Sequence, residues 1–535
     1  MSASRPQSSL SERVAGAIFW NTVAFPIKAA IKFLAGLVLL WALLPEGYGL
    51  FQAAVGAVVA TVWTFTGLGI SPSILKFVPE VMARQGSTGV ARFLRQLFLI
   101  RLGFLLIVVL LLNIFSADVL GFLRAQASGD YARMLSADGL FLLRVASAIV
   151  LLRVATDTCA RTLVAYFKQK TTNSLDIVSA LVQPVLTVLL VPAWGLGMGI
   201  RGAALAILIG STVDLLLALF AVRRALRHLP AEHQTIVAVE RLWQRFSSSA
   251  LMNYVMDQSV FVTSPDFVAL VFLWLARPAA LANIEAGWNQ VLVLLTYLVM
   301  PLNGIYVPMF SEIFAKGDDH KLQPAYATLT RALLLATVPA GIGFITLAPQ
   351  AFELLHLAAK YPQAAAVAQV VTLFLFAESI VVVPHVILMV YERYRVVALS
   401  RLLAVLSAPL IVLVAINGSA VTTALAIGVF RFGSRAVLTP YASRAFGLRF
   451  PWRFAGRLAL PSLLFMSVLT LLSRVLPVLE SQPVWRNLLH LAALIGVGVA
   501  IFAAGFKLMG GIDDDDRKRL ATMRIPLRKL ILRYL

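Results

Sequence analysis

Apolar residues run along this chain in long blocks that short polar connections separate. A helix needs about 20 mostly apolar residues to cross the hydrocarbon core of a bilayer. Blocks of this length recur, at residues 15–44, 48–75, 96–115, 139–163, 174–193, 202–222, 248–275, 279–309, 333–355, 364–390, 396–416, 419–441, 456–476 and 488–509. The pattern therefore predicts an all-α integral membrane protein with about 14 transmembrane helices.

The order of these spans indicates two similar halves. Val78-Pro79 lies at the end of the second span and Val307-Pro308 at the end of the eighth. An offset of six spans keeps the same orientation, so the halves would be parallel repeats. Ser264-Pro265-Asp266 predicts a break in the seventh span. The predicted domains are an N-terminal six-helix lobe at 15–222, a C-terminal six-helix lobe at 248–441, an extra helix pair at 456–509 and a basic cytoplasmic tail at 510–535.

Composition excludes an ordinary soluble protein. Hydrophobic residues make up 60% of the chain and charged residues only 13%, whereas soluble chains are about half apolar and a quarter charged. The net charge is +21, but no motif for nucleic acid accompanies it. With a cytoplasmic N-terminus, about 34 basic residues fall on cytoplasmic segments against about 7 outside. The charge pattern thus predicts an even number of spans and two cytoplasmic termini.

The motifs of common enzymes are missing from the sequence. It contains no P-loop, no HExxH pattern and no GxSxG elbow. Its single cysteine, Cys159, and its 6 scattered histidines do not form a metal-ligand pattern. We therefore predict a protein that is not an enzyme and that needs no cofactor or metal.

Two lysines in the first span are the clearest candidates for binding an anion. Lys28 and Lys32 are four residues apart and share one helical face, where an anionic ligand would offset their repulsion. Trp20 and Asn21 lie a turn or two away, and a Trp ring suits the face of a sugar. The alternative is that both lysines snorkel to the interface or pair with carboxylates of neighbouring helices.

Carboxylates in other spans suggest a polar interior. Arg153 and Asp157 are four residues apart in the fourth span, which predicts either a neutralising pair or part of a cavity. Asn253 and Asp257 share a face of the polar seventh span, where Asp257 could pair with Lys28 or Lys32. Asp257, Asp157 and Glu285 are candidates for coupling to H⁺ or Na⁺. A helix that sits partly in water would give the seventh span the same composition.

Three stretches carry a resemblance to a known family. They are Leu44-Pro45-Glu46-Gly47-Tyr48-Gly49-Leu50-Phe51 running on to Pro79-Glu80, the run from Trp288 through Val307-Pro308, and Tyr361-Pro362. They resemble the polysaccharide (O-antigen-type) flippases of the multidrug/oligosaccharidyl-lipid/polysaccharide exporter superfamily. The resemblance implies two six-helix lobes around a central cavity lined by spans 1, 2, 7 and 8. Spans 13 and 14 are typical of the branches that handle lipid-linked sugars.

The resemblance also implies a function. The chain would flip an isoprenoid-pyrophosphate-linked oligosaccharide from the cytoplasmic to the outer leaflet of a bacterial inner membrane by alternating access. Its partners would be the bilayer, this substrate, H⁺ or Na⁺ as coupling ion, and the glycan polymerase or glycosyltransferases of the same pathway. Two alternatives stay open, an ion-coupled exporter of small molecules or drugs and a membrane-embedded glycan polymerase or ligase. The basic pair in span 1 argues against cationic drugs.

Overall fold

The computed structural model describes residues 27–165, 169–227, 241–475 and 484–511, and within these ranges every regular element is helical. The helices are α1 (27–42), α2 (Pro45–Phe51), α3 (Val58–Gly67), α4 (Ile70–Ile114), α5 (Ser116–Gln126), α6 (Gly129–Ala165), α7 (Gln169–Leu190), α8 (Gly199–Arg227), α9 (Leu242–Val262), α10 (Pro265–Trp274), α11 (Pro278–Lys316), α12 (Leu322–Leu354), α13 (Ala364–Val390), α14 (Tyr394–Leu406), α15 (Ala408–Asn417), α16 (Ala420–Ala436), α17 (Leu438–Phe446), α18 (Trp452–Val475) and α19 (Val484–Leu508). A π-helical segment, Gln52–Ala57, joins α2 to α3. The prediction of an all-α fold is confirmed.

Long apolar helices make this chain a multi-pass membrane protein. Among the described residues, 10 stretches are long and apolar enough to cross a bilayer, or 11 if the bent pair α9 and α10 is one span. The count of about 14 spans stays a prediction. Because lipid replaces water around such helices, their apolar residues need not be buried; Ile107, Leu110 and Ile114 of α4 are each more than half exposed.

The predicted break in the seventh span is confirmed. Helix α9 ends at Val262 and α10 begins at Pro265, and their axes differ by 57°. Ser264 has an extended backbone, and Pro265 occupies the first turn of α10. A proline suits that position because N–H groups in the first turn of a helix have no acceptor within the helix, so the N–H that proline lacks costs no hydrogen bond.

The boundary between the second and third spans lies at a different place in the structure from the one predicted. The second span was predicted to run to residue 75, but left-handed backbone at Leu68 and Gly69 ends α3 there (φ 49° and 63°). Helix α4 then extends from Ile70 to Ile114 and is interrupted only at Gly86 (φ 64°). Hydropathy does not register the break at Leu68 and Gly69, since apolar residues such as Phe65 and Ile70 lie on both sides of it.

The helices form two compact units. The first contains the described residues up to Glu285 together with Arg401–Asn417, and the second contains Ala286–Ser400 and the described residues from Gly418 onwards. In the first unit, α6 packs on α4 and α8, while α15 is held through hydrogen bonds from Arg277 to the carbonyls of Ala415 and Ile416. In the second unit, α13 packs on α12 and α16, and α18 packs on α12 and α19. The boundaries of the predicted lobes stay predictions.

Candidate functional site

A charged cavity of about 600 Å³ lies inside the first unit. It is lined by side chains of α3, α4, α6, α8, α9 and α10. Three guanidinium groups and four carboxylates line it, together with Trp63 and several hydroxyl groups; the charged residues are Arg101, Arg153, Arg161, Asp157, Asp214, Asp257 and Asp266. Charged side chains among apolar helices are costly and generally mark a path for a substrate or an ion.

Arg101 and Asp157 form the most deeply buried ion pair of this cavity. The Arg101 side chain is 2% exposed, and its Nη1 atom lies 2.9 Å from Asp157 Oδ2. Ser71 hydrogen-bonds to both groups, and Arg161, one turn after Asp157 on α6, donates to Asp157 Oδ1 at 3.2 Å. The Trp63 ring covers the Arg101 guanidinium, with 4.4 Å between Cζ and the ring centroid. Asp157 therefore forms ion pairs with two guanidinium groups, that of the buried Arg101 and that of the more exposed Arg161.

Two of the remaining carboxylates interact with Arg153, and the third, Asp257, interacts with the other two arginines. The Arg153 side chain lines the cavity and is exposed there. Its guanidinium group interacts electrostatically with Asp214 and Asp266. Asp257 of α9 is half-buried, and its electrostatic partners include Arg161 and Arg101. Because carboxylates outnumber guanidinium groups by four to three among the lining residues, this cavity can accept a cation or a proton as well as a polar ligand.

The structure brings together three of the predicted site residues. Arg153, Asp157 and Asp257 all line the cavity. The alternative of an Arg153–Asp157 neutralising pair is wrong, because Asp157 accepts hydrogen bonds from Arg101 and Arg161 instead. A spacing of four residues allows contact on a helix but does not exclude a stronger partner from another helix.

The other predicted site residues lie elsewhere in the described structure or outside it. Lys28 is half-buried and Lys32 exposed on α1, Glu285 is buried at 6% exposure, and none of the three lines the charged cavity. Asn253 lies one turn before Asp257 and contacts α4. Trp20 and Asn21 lie outside the described residues. The roles assigned to these residues stay predictions.

Sequence reasoning missed several cavity residues. Arg101 was not identified as a site residue, although it lies in the predicted span 96–115, Leu99, Ile100 and Leu102 flank it, and an apolar run continues to residue 112. That flanking pattern was the available signal. Trp63 carried no comparable signal. Asp214 and Asp266 are charged residues within predicted spans, but their place in the cavity depends on which helices meet.

A polar seam joins α4 to α9 beside the cavity. Asn253 Nδ2 donates to Ser73 Oγ at 3.0 Å, and Arg245 binds both carboxylate oxygens of Glu80, at 2.8 and 3.0 Å. Gly69 lies against the backbone of Ala250 at the same interface. The two helices are thus held by polar contacts at an interface that also contains a buried apolar core.

The contribution of the Glu80–Arg245 ion pair to the stability of this seam can be measured. Glu80→Arg is expected to lower the free energy of unfolding by about 1 kcal/mol, because it places two guanidinium groups together. The charge-swapped variant Glu80→Arg/Arg245→Glu should recover most of that loss. The melting temperatures of the purified variants in detergent measure both effects. A swap that is no more stable than Glu80→Arg would show that the pair does not hold the seam.

A second buried ion cluster lies in the second unit. Glu378 of α13 accepts from Arg431 Nε at 2.6 Å and also pairs with Arg435, both from α16. The Glu378 carboxylate is 8% exposed, so these contacts hold α13 to α16. Within the described ranges, no group of three or more His, Cys, Asp or Glu residues is arranged to hold a metal ion.

Comparison with known proteins gives one family and several related folds. The model of the family described as "Polysaccharide biosynthesis protein" matches residues 14–314. A lipid II flippase, MurJ, in an inward closed conformation is similar over 92% of this chain and 98% of its own, with a TM-score of 0.65 and 14% identity. A multidrug resistance MATE family transporter of the MOP superfamily is similar over 80% of this chain and 98% of its own (TM-score 0.59, 14% identity).

A MOP superfamily transporter from Pyrococcus furiosus, described as having a binding pocket of reverse polarity, is similar over 83% of this chain and 99% of its own (TM-score 0.55, 15% identity). No curated protein sequence matches the chain. At these identities the structural likenesses show the fold, which is that of the superfamily the three sequence stretches resemble. The resemblance drawn from the sequence is confirmed.

Proposed function

The chain belongs to the polysaccharide biosynthesis protein family, and from that premise we propose that it is a flippase. Its substrate is an isoprenoid-pyrophosphate-linked oligosaccharide, which it moves from the cytoplasmic to the outer leaflet by alternating access. Its place is a bacterial inner membrane, with both termini in the cytoplasm. The glycan polymerase and glycosyltransferases of the same pathway are its proposed partners.

The charged cavity is the observation that carries this proposal. A sugar headgroup and a diphosphate cannot cross hydrocarbon unless polar groups replace their water. The cavity holds guanidinium groups that suit diphosphate oxygens, carboxylates that accept from sugar hydroxyls, and Trp63. Lys28 and Lys32 on α1 are proposed as a further pair of cationic contacts.

Loss of the gene is the first test of this proposal. Deleting it should leave lipid-linked oligosaccharide on the cytoplasmic leaflet and remove the surface polysaccharide. Complementation with Lys28→Ala/Lys32→Ala should restore less export than the wild-type gene. Normal distribution of the intermediate in a strain without a second flippase would overturn the proposal.

Asp257 is the proposed coupling group of the cavity. Asp157 is held by two arginines, and so its negative charge is already matched, whereas Asp257 is half-buried on the cavity wall. An ion-coupling carboxylate must bind and release its ion in each cycle. Glu285 and Asp157 are the weaker candidates for this role.

Asp257→Asn is expected to abolish acceleration of flipping by an ion gradient and to leave a slow, gradient-independent rate. Flipping of a labelled lipid-linked oligosaccharide in liposomes, with a proton or a sodium gradient imposed in turn, measures this and identifies the ion. Asp138→Asn, at a partly exposed ion pair with Arg201 outside the cavity, is the control. Gradient dependence that survives in Asp257→Asn would assign coupling to another residue.

An ion-coupled exporter of small molecules or drugs is the second candidate. The excess of carboxylates over guanidinium groups in the cavity favours it, because cationic drugs need negative sites. A susceptibility screen of the deletion strain distinguishes the two: hypersensitivity to cationic compounds with an intact surface polysaccharide supports the exporter. A glycan polymerase or ligase is the third, and formation of polymer by the purified protein would support it.

A further inference from the structure

A second polar cavity of the first unit lies outside the site described above. It has a volume of about 500 Å³, within the range of ligand pockets, which is about 300–1,000 Å³. One wall consists of Gln85, Gly89, Arg92 and Gln96 on α4, and the other consists of Arg241 and the first turn of α9, from Leu242 to Gln244. These two walls come from chain segments about 150 residues apart, which the structure brings together.

The shape of this cavity depends on a break in α4. Gly86 has φ 64° and ψ −166°, which turns the helix at this point. A Cβ atom on Gly89 would lie 2.2 Å from Gln85 Cβ. Only glycine therefore allows the close turn, and the turn sets Gln85 and Arg92 on the same wall.

The lining combines positive charge with an aromatic floor. It includes two arginines, three glutamines and no carboxylate. Phe93 is 3% exposed and its ring centroid lies 5.7 Å from that of Trp243, which is 44% exposed. The rings provide an apolar part of the lining, and the amide and guanidinium groups provide hydrogen-bond donors.

The two arginines of the cavity differ from the nearby Arg245 in their ion pairing. Arg245, one turn along α9 from Arg241, binds Glu80 through two hydrogen bonds. Within the part of the chain that the structure describes, Arg92 and Arg241 make no ion pair or side-chain hydrogen bond. The first turn of α9 also has no acidic residue and no side-chain cap. All of these features favour an anion in the cavity.

The predicted topology puts this cavity at the membrane surface. The connections at 76–95 and 223–247 both carry many basic residues and both face the cytoplasm in that topology. Trp243 suits the headgroup region, where Trp is enriched. The cytoplasmic leaflet also carries the anionic lipids that attract clustered basic residues.

We propose that this cavity binds the phosphate of an anionic lipid of the cytoplasmic leaflet, with Arg92 and Arg241 on the phosphate oxygens, the glutamines on the polar headgroup, and Phe93 and Trp243 against its apolar part. The bound lipid bridges α4 and α9 next to their polar seam. The proposal does not rest on the proposed transport activity, because it concerns binding of a membrane lipid and is tested without transport.

Lipid binding to the full-length protein in a neutral detergent tests the proposal. The probes are short-chain phosphatidylglycerol, phosphatidylcholine of the same chain length, and glycerol phosphate as the soluble competitor. The wild type should bind phosphatidylglycerol in preference to phosphatidylcholine. Arg92→Gln/Arg241→Gln should weaken this binding about 30-fold, since each arginine contributes a charge-assisted hydrogen bond. Arg92→Lys/Arg241→Lys should retain part of it.

The matched control is Arg95→Gln/Arg223→Gln, which removes the same charge from two exposed arginines outside the cavity. It should change binding less than about threefold. Melting temperatures establish that both double variants are folded. Equal losses in the two double variants, or no loss in either, would overturn the proposal. Full displacement of the lipid by glycerol phosphate at similar concentration would assign the cavity to a soluble phosphate compound instead.

Discussion

Replacing Asp157 with leucine is expected to destabilise the protein by about 3–5 kcal/mol, because it leaves the Arg101 guanidinium buried without its carboxylate. The Arg101 side chain is 2% exposed, and Asp157 is the only carboxylate within 4.0 Å of it among the described residues. Its Nε and Nη2 atoms already make no hydrogen bond within the described structure. The loss of Asp157 would leave Ser71 and the Trp63 ring as its remaining partners. Unfolding of the purified protein in detergent measures the effect.

Two further variants distinguish the effect of the uncompensated Arg101 charge from a general loss of stability on replacing an aspartate. Asp138→Leu removes one partner of the Arg201–Asp138 pair, whose arginine is 52% exposed, and should cost no more than about 1 kcal/mol. The double variant Arg101→Met/Asp157→Leu removes both buried charges and should recover most of the stability. If the double variant is as unstable as Asp157→Leu, the uncompensated charge is not the cause. Asp157→Leu and the double variant Arg101→Met/Asp157→Leu should both export less glycan than the wild type, because each removes charge from the cavity wall.

Gly69→Ala is expected to cost more than about 3 kcal/mol, through both backbone strain and a clash that no side-chain movement relieves. Gly69 has φ 63°, which ends the turn between α3 and α4. A Cβ atom there would lie 1.9 Å from the Ala250 carbonyl oxygen and 2.6 Å from the Tyr254 nitrogen. Both atoms belong to the backbone of α9, so α4 and α9 would have to separate. Lower yield of folded protein and a lower melting temperature are the expected results.

Gly129→Ala is the control for strain alone. Gly129 has φ 60°, close to that of Gly69, but a Cβ atom added there would have no neighbouring atom within 4 Å among the described residues. The substitution should cost only about 1–2 kcal/mol. The difference in lost stability between Gly69→Ala and Gly129→Ala is the cost of the clash between α4 and α9. If both variants lose the same stability, the approach contributes nothing and the effect is conformational strain.

Local sequence properties predicted the fold class and much of the helix layout. Helix α13 spans Ala364–Val390, which are the predicted bounds of the tenth span. The break before Pro265 was also readable, since a proline acts on its own helix. Both features depend on residues within one or two turns of each other. Family membership likewise followed from short stretches of sequence.

The charged cavity was only partly predictable. Arg153, Asp157 and Asp257 were identified because charges stand out in apolar spans. Their partners were not, and the predicted Arg153–Asp157 pair was wrong. Asp157 binds Ser71, 86 residues away, and Arg101, 56 residues away. Likewise, Arg431 binds Glu378 at a separation of 53 residues.

The sequence by itself determined that this is an all-helical protein of the membrane, that its seventh span is broken before Pro265, and which side chains are too polar for lipid. Only the tertiary structure decided which of those side chains meet. The physical reason is that hydropathy and helical period are properties of neighbouring residues, whereas a buried charge takes its partner from whichever helix packs against it. Helices α4, α6, α8, α9 and α10 each contribute charge to the cavity, and no single stretch of sequence contains the arrangement that results.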